Sequence, residues 1–144
     1  MRQLGFVYPA KFRRQGRSVL VSFPDLPEAL TEGRDEQDAL AQATDCLEEA
    51  IAGRIRRGDT IPAPSRPRTA CRMVPVPAPT AAKAALYLAL REAGITRLEL
   101  AGRLGCDEKE VRRLLDPRHP SKLPRVEAAL AQLGKRLVLE MRAA

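Results

Sequence analysis

Tryptophan is absent from the 144-residue chain, and aromatic residues make up only 3% of it. That scarcity argues against a specific small-molecule pocket, because such pockets are lined by aromatic and apolar side chains around a few placed polar groups. The one histidine, His119, sits in a loop between Pro117 and Pro120 with no ligand set or triad partners at a recognisable spacing. Cys46, Cys71 and Cys106 are odd in number, far apart and form no C-x-x-C, so neither a disulfide framework nor a zinc site is indicated. No apolar run approaches the roughly 18 residues that span a bilayer, and no secretory core follows Met1-Arg2, so a cytoplasmic protein with no membrane partner is expected. Glycine-rich phosphate loops and G-x-S-x-G are missing too. Asp25, Glu32, Glu48 and Asp59 are nuclease candidates by residue type alone. Two-metal catalysis needs carboxylates converging on ions about 4 Å apart, and these four fall on a loop, a strand end, a helix middle and a turn. The expectation is a protein without catalytic residues, metal or cofactor.

Charge is what the sequence has, and it is unevenly placed. Lys and Arg number 25 against 18 Asp and Glu, a net charge of +7. Residues 1–64 hold 9 basic and 10 acidic side chains, whereas residues 65–144 hold 16 and 8. A near-neutral half joined to a half carrying +8 suits two small domains, one of them rewarded by counterion release beside nucleic acid.

Within the basic half, Thr96 to Pro117 organises the chain. Ala101, Gly105, Val111 and Leu114 stand at the offsets of a helix-turn-helix unit: a small residue where helices touch, a Gly at the turn, then apolar residues that hold the second helix. Leu98, Leu100, Ala101 and Leu104 give the first helix an apolar side, and Asp107 caps a second helix over 107–115. Lys109, Arg112 and Arg113 project from the face away from Val111, Leu114 and Leu115, with Arg97 at the start of the preceding helix. These four are the expected DNA contacts. Glu108 could accept from cytosine, or solvate a helix start. The same spacing also fits a structural helical corner with a solvated basic face.

Read in order, Leu4–Arg13 and Ser18–Phe23 predict a β-hairpin across Arg14–Arg17, with Val19, Val21 and Phe23 on one face. Pro24-Asp25-Leu26-Pro27 predicts a stiff kinked loop, and residues 29–32 a short third strand ended by Gly33. Leu40, Ala43, Leu47, Ala50, Ile51 and Ile55 then recur at three and four, a helix over 35–57 with Asp35 as N-cap and Gly58 as its stop. Six of the twelve prolines lie between Pro62 and Pro79. Residues 61–68 read as an extended connection, and 69–76 as a strand that Pro75 confines to a sheet edge. Residues 77–79 read as the interdomain link. Thr80 should cap a helix whose Ala82, Leu86, Ala89, Leu90 and Ala93 face inward, and 123–133 a last helix built on Val126, Ala129, Leu130 and Leu133. The tail from Lys135 to Arg142 alternates Leu137, Leu139 and Met141 with charged residues, a strand pattern.

Phe23-Pro24-Asp25-Leu26-Pro27, Thr31-x-Gly33, Asp38-Ala39, Ala43, Leu47 and Ile61-Pro62-x-Pro64-Ser65 together resemble the N-terminal domain of HicB-type antitoxins, over about half the chain. Glu28 departs from the Gly often found there. Arg113-Leu114-Leu115-Asp116-Pro117 and Leu133-Gly134-Lys135-Arg136-Leu137 resemble those members whose second domain is a Cro-repressor-like helix-turn-helix. The resemblance implies an α+β protein. Its N-terminal β-β-β-α-β part (1–76) would be a partial ribonuclease-H-like domain that silences a small HicA-type RNA-cleaving toxin of double-stranded-RNA-binding fold. After the link (77–79), an all-α helix-turn-helix domain with a terminal strand (80–144) would repress the operon.

On that basis Phe23, Pro24, Asp25 and Leu26 are the expected toxin-binding residues. The alternative is a ligand-sensing repressor with no protein partner, which the adjacent reading frame would discriminate. One helix reads too few base pairs to discriminate against bulk DNA, so a homodimer or higher even oligomer is expected. Leu137, Leu139 and Met141 would pair across a two-fold axis. The competing arrangement docks that strand on the chain's own N-terminal sheet.

Overall fold

The computed structural model describes residues 3–67 and 69–144; Met1, Arg2 and Arg68, the last belonging to the expected extended connection, lie outside the described residues. The chain divides into two compact units, Met1–Thr80 and Ala81–Ala144. Three strands come first: β1 (Val7–Gln15), β2 (Ser18–Phe23) and β3 (Leu26–Gly33). Helix α1 (Glu36–Arg57) and strand β4 (Cys71–Pro75) follow, then helices α2 (Ala78–Ala93), α3 (Arg97–Leu104), α4 (Glu108–Leu115) and α5 (Leu123–Gln132). This is the β-β-β-α-β order followed by helices that the change of hydrophobic period predicts.

The four strands form one antiparallel sheet in the order β3-β2-β1-β4. Period two places Tyr8 and Val74, and Phe12 and Val21, opposite one another on one face. Tyr8, Val19, Val21, Phe23, Leu26 and Val74 are buried. Helix α1 packs against β2, β3 and β4, with Ala39, Ala43, Leu47, Ile51 and Ile55 buried at intervals of four. Leu40, expected on that stripe, is 39% exposed. Asp35 accepts the Asp38 N–H at 2.8 Å, and Gly58 closes the helix in the left-handed region. β4 lies at the sheet edge, where Pro75 costs no interior ladder bond. Pro9 occupies a stretch of β1 paired with β4 only, beyond the end of the β2 ladder.

Gly33 sets how closely α1 approaches the sheet. A Cβ at this position would overlap the backbone nitrogen and Cα of Ala39, in the first turn of α1.

Four expectations need correction. The kinked loop is shorter than four residues: Phe23 pairs with Leu26, so only Pro24 and Asp25 turn, and β3 starts at Leu26 because its side chain is drawn into the core. Helix α2 begins at Ala78, so Ala78 and Pro79 are helical and Thr80 lies inside the first turn. Proline fits there because a first-turn N–H has no intrahelical acceptor. Thr80 instead donates its hydroxyl to Glu48 Oε2 at 2.8 Å. Leu98 and Ala93 are exposed rather than facing inward. Finally, residues 135–144 form no strand. Leu139 and Met141 are 71% and 98% exposed, and Leu137 is half-buried.

Candidate functional site

In the N-terminal unit the two proline-rich motifs are fastened to each other. Asp25, in the β2–β3 turn, accepts the Ser65 N–H at 2.9 Å and the Ser65 hydroxyl at 3.1 Å. Tyr8, wholly buried, donates its hydroxyl to the Pro62 carbonyl at 2.7 Å. Arg54 on α1 grips Glu28 on β3 with two parallel bonds (2.7 and 2.9 Å) and donates a third to the Thr60 carbonyl at 2.9 Å. The Arg54 guanidinium holds the Glu28 carboxyl below its ordinary pKa, and Glu28 in turn raises that of Arg54. Glu28 is therefore one half of a strand-to-helix clamp that a glycine could not make.

Among the expected toxin contacts, Pro24 is exposed and Asp25 half-buried. Phe23 (2% exposed) and Leu26 (0%) are buried in the core, where they support the turn.

Burial pushes the Tyr8 pKa from 10.0 up to about 12, with Asp25 adding to the effect and Arg54 opposing it. A raised folded-state pKa in an acid means that stability is fully present below pH 10.0 and lost as pH climbs towards 12. Tyr8→Phe should abolish that alkaline loss. It should also cost about 1–3 kcal/mol at neutral pH by orphaning the Pro62 carbonyl. Denaturant midpoints of the two proteins across this pH range check both outcomes; parallel curves would disprove the coupling.

In the C-terminal unit, α3 and α4 are joined by a three-residue turn and each opens on a side-chain cap. Thr96 accepts the Glu99 N–H at 3.0 Å, and Asp107 accepts the Glu110 N–H at 2.9 Å. Gly105 adopts φ 67°, ψ 33°, and the Cys106 N–H reaches the Ala101 carbonyl at 3.0 Å. Leu100, Ala101, Val111, Leu114, Leu115, Val126, Ala129 and Leu130 lie in the core of this unit, together with Leu86 of α2. Burying Val111, Leu114 and Leu115 turns the opposite side of α4 outward. Lys109, Arg112 and Arg113 are exposed there, as are Glu108 and, on α3, Arg97. The only ion pair among them within the described residues is the loose Arg112–Glu108 contact of 3.9 Å.

A model of the HicB-like antitoxins of bacterial toxin–antitoxin systems matches residues 7–85, which take in the whole clamped sheet. The chain belongs to the HicB antitoxin family. It is 36% identical over 140 residues to an antitoxin HicB of Pseudomonas fluorescens, a match covering 96% of both chains. With antitoxin HicB 2 of Photorhabdus laumondii it shares 38% over 132 residues, 92% of this chain and 94% of that one. With antitoxin HicB of Escherichia coli K12 it shares 37% over 122 residues, 85% and 88% respectively. Membership in the HicB family gives the protein the non-catalytic, antitoxin role in a toxin–antitoxin pair.

The carboxylates of this HicB antitoxin are dispersed. Asp25 is held by Ser65, Glu48 by Thr80 and Asp59 by Arg57, while Glu32 is exposed on β3. Among the described residues no three His, Cys, Asp or Glu side chains converge as a metal site would require, and no helix is long and apolar enough to cross a membrane. The three cysteines are free and half-buried. His119 Nδ1 lies 3.3 Å from the Ser121 hydroxyl.

One buried polar group is absent from the residues that the sequence singles out. Lys83, on α2, is only 4% exposed, and its ammonium donates to the Arg113 carbonyl (2.9 Å), the Leu114 carbonyl (3.1 Å) and the Ser121 hydroxyl (2.8 Å). All three of its protons are used. Burial lowers its pKa, against an opposing pull from Asp116. A signal exists in the sequence: Lys83 stands three and seven residues before Leu86 and Leu90, on the apolar stripe of its helix.

Proposed function

We propose that this HicB antitoxin binds and neutralises a small HicA-type RNA-cleaving toxin through its N-terminal unit, a truncated ribonuclease-H-like sheet. Its C-terminal unit represses the operon by seating α4 on operator DNA as the second helix of a helix-turn-helix. The observation that carries the second role is the exposed row Lys109, Arg112 and Arg113 on a capped, eight-residue helix. Such a helix is too short to be stable unless tertiary packing holds it, and here that packing leaves its basic face open. Family membership and the clamped turn around Pro24 and Asp25 support the first role.

The same reading makes the working species a homodimer or higher even oligomer. Repression needs two half-sites, and the exposed Leu139 and Met141, with Leu137, supply an unpaired strand sequence that a second copy could complete.

Co-expression of the full chain with the product of the adjacent reading frame tests the function. Growth should be restored and the two proteins should co-purify. A co-expressed neighbour that stays toxic and elutes alone would refute the toxin-binding role.

A further inference from the structure

Four of the helices end at a glycine in the left-handed region: α1 at Gly58, α2 at Gly94, α3 at Gly105 and α5 at Gly134, with φ between 67° and 74°. Helix α4 does not. Its C-cap, Asp116, is extended at φ −79°, ψ 114°, because Pro117 follows and a residue before proline is driven out of the helical region. Helix α4 therefore closes on one backbone bond, from the Asp116 N–H to the Arg113 carbonyl at 3.2 Å, where the turn past each glycine-ended helix supplies at least two. The buried ammonium of Lys83 adds a second donor to the Arg113 carbonyl and also takes the Leu114 carbonyl. Its third proton fixes Ser121, in the segment leading to α5, whose hydroxyl is also 3.4 Å from the Arg113 carbonyl. A cation at a helix C-terminus is favourable in its own right.

We infer that Lys83 is a positioning residue for operator recognition: it completes the sparse C-terminal cap of α4 and thereby fixes the pose of Arg112 and Arg113, although it touches no DNA. This rests on the reading of α4 as the DNA-contacting helix. Arg112 and Arg113 occupy the last turn of an eight-residue helix, the turn whose carbonyls Lys83 holds. Loosening that turn would blur the geometry on which base-edge contacts depend and leave non-specific phosphate attraction almost untouched.

The test compares the full-length protein with Lys83→Met, which keeps the length and apolar stem but removes the donors, and with Ser121→Ala, which removes one acceptor. Each is titrated, at a temperature where circular dichroism shows it fully folded, with a duplex of the DNA immediately upstream of its own reading frame and with a shuffled duplex of equal length. Lys83→Met should weaken binding to the upstream duplex tenfold or more and to the shuffled duplex less than twofold; Ser121→Ala should shift the same ratio by a smaller factor. A purely structural lysine would lower the melting temperature and leave the ratio unchanged in the folded protein, and that result overturns the inference. Should the wild type itself fail to prefer the upstream duplex, the operator reading falls, and amide exchange decides the pin separately. Faster exchange at Arg112–Leu115 in Lys83→Met than in the wild type would support it, and equal rates would overturn it. If Lys83→Met does not fold, the Ser121→Ala ratio is decisive, with no change counting against the proposal.

Discussion

Replacing Arg112 and Arg113 together by alanine should cost roughly 1–3 kcal/mol of operator affinity for each that reads a base, so the pair could account for several powers of ten in Kd. The reasoning is geometric. Both guanidinium groups lie on the exposed side of α4, opposite Val111, Leu114 and Leu115, which are buried and fix the rotation of the helix about its axis. Arg113 has no ion-pair partner among the described residues, and the Arg112–Glu108 pair is long and exposed enough to contribute almost nothing. Neither side chain has to surrender a strong bond before meeting DNA. Salt titration distinguishes an arginine that reads a base from one that neutralises a phosphate. Removing a base-reading arginine leaves the slope of log K against log salt unchanged and relaxes sequence preference, whereas removing a phosphate-neutralising one makes the slope shallower by about one per residue. Stability should stay within about 0.5 kcal/mol of the parent, as for most exposed substitutions. Unchanged affinity together with an unchanged slope would remove α4 from the interface.

The second large effect belongs to the N-terminal unit and to a single methyl group. Gly33→Ala should destabilise that unit by an amount at or above the upper end of the roughly 1–3 kcal/mol typical of overpacking. The added carbon would strike the backbone nitrogen and Cα of Ala39, not a flexible side-chain end, so relief requires moving the first turn of α1. That turn is tied down by Asp35, which caps the Asp38 N–H, and by the Arg34 N–H, which donates to Asp38 Oδ2 at 2.8 Å. The shift would propagate into the packing of Ala39 and Ala43, the small residues that let the helix approach the sheet. Chemical denaturation followed by a signal confined to residues 1–80 measures this. A change below about 0.5 kcal/mol would show that the helix start can yield, and that the close approach is not a constraint of the fold.

Much of this architecture is legible in the residues. The switch from period two to periods of three and four between Phe23 and Leu40 marks the passage from hairpin to α1. Asp35, Thr96, Asp107, Gly58 and Gly105 announce helix ends because caps act through local hydrogen bonds that sequence encodes directly. Long-range pairings are not legible. Period two cannot tell whether Leu26 belongs to a loop or to a strand, since that depends on Phe23 lying across from it. Asp25 reads as a surface group, yet its carboxylate is committed to Ser65, forty residues away. The place of Lys83 on the apolar stripe of α2 is legible, but the two carbonyls of α4 that accept its protons are not. The tail's alternation is a strand pattern, but a strand pattern specifies only one half of a pair, and among the described residues no strand pairs with it.

The central claim is that two activities reside in two separately folded units, and calorimetric titration of the neighbouring gene's product into residues 1–80 tests it most directly. That fragment retains the Val76 N–H bond to Phe6 and the Thr80–Glu48 bond that close the N-terminal unit. A Kd within a few-fold of the full chain's is expected, with no affinity for the upstream duplex. A fragment shown to be folded that fails to bind the toxin while the full chain binds it would contradict the account.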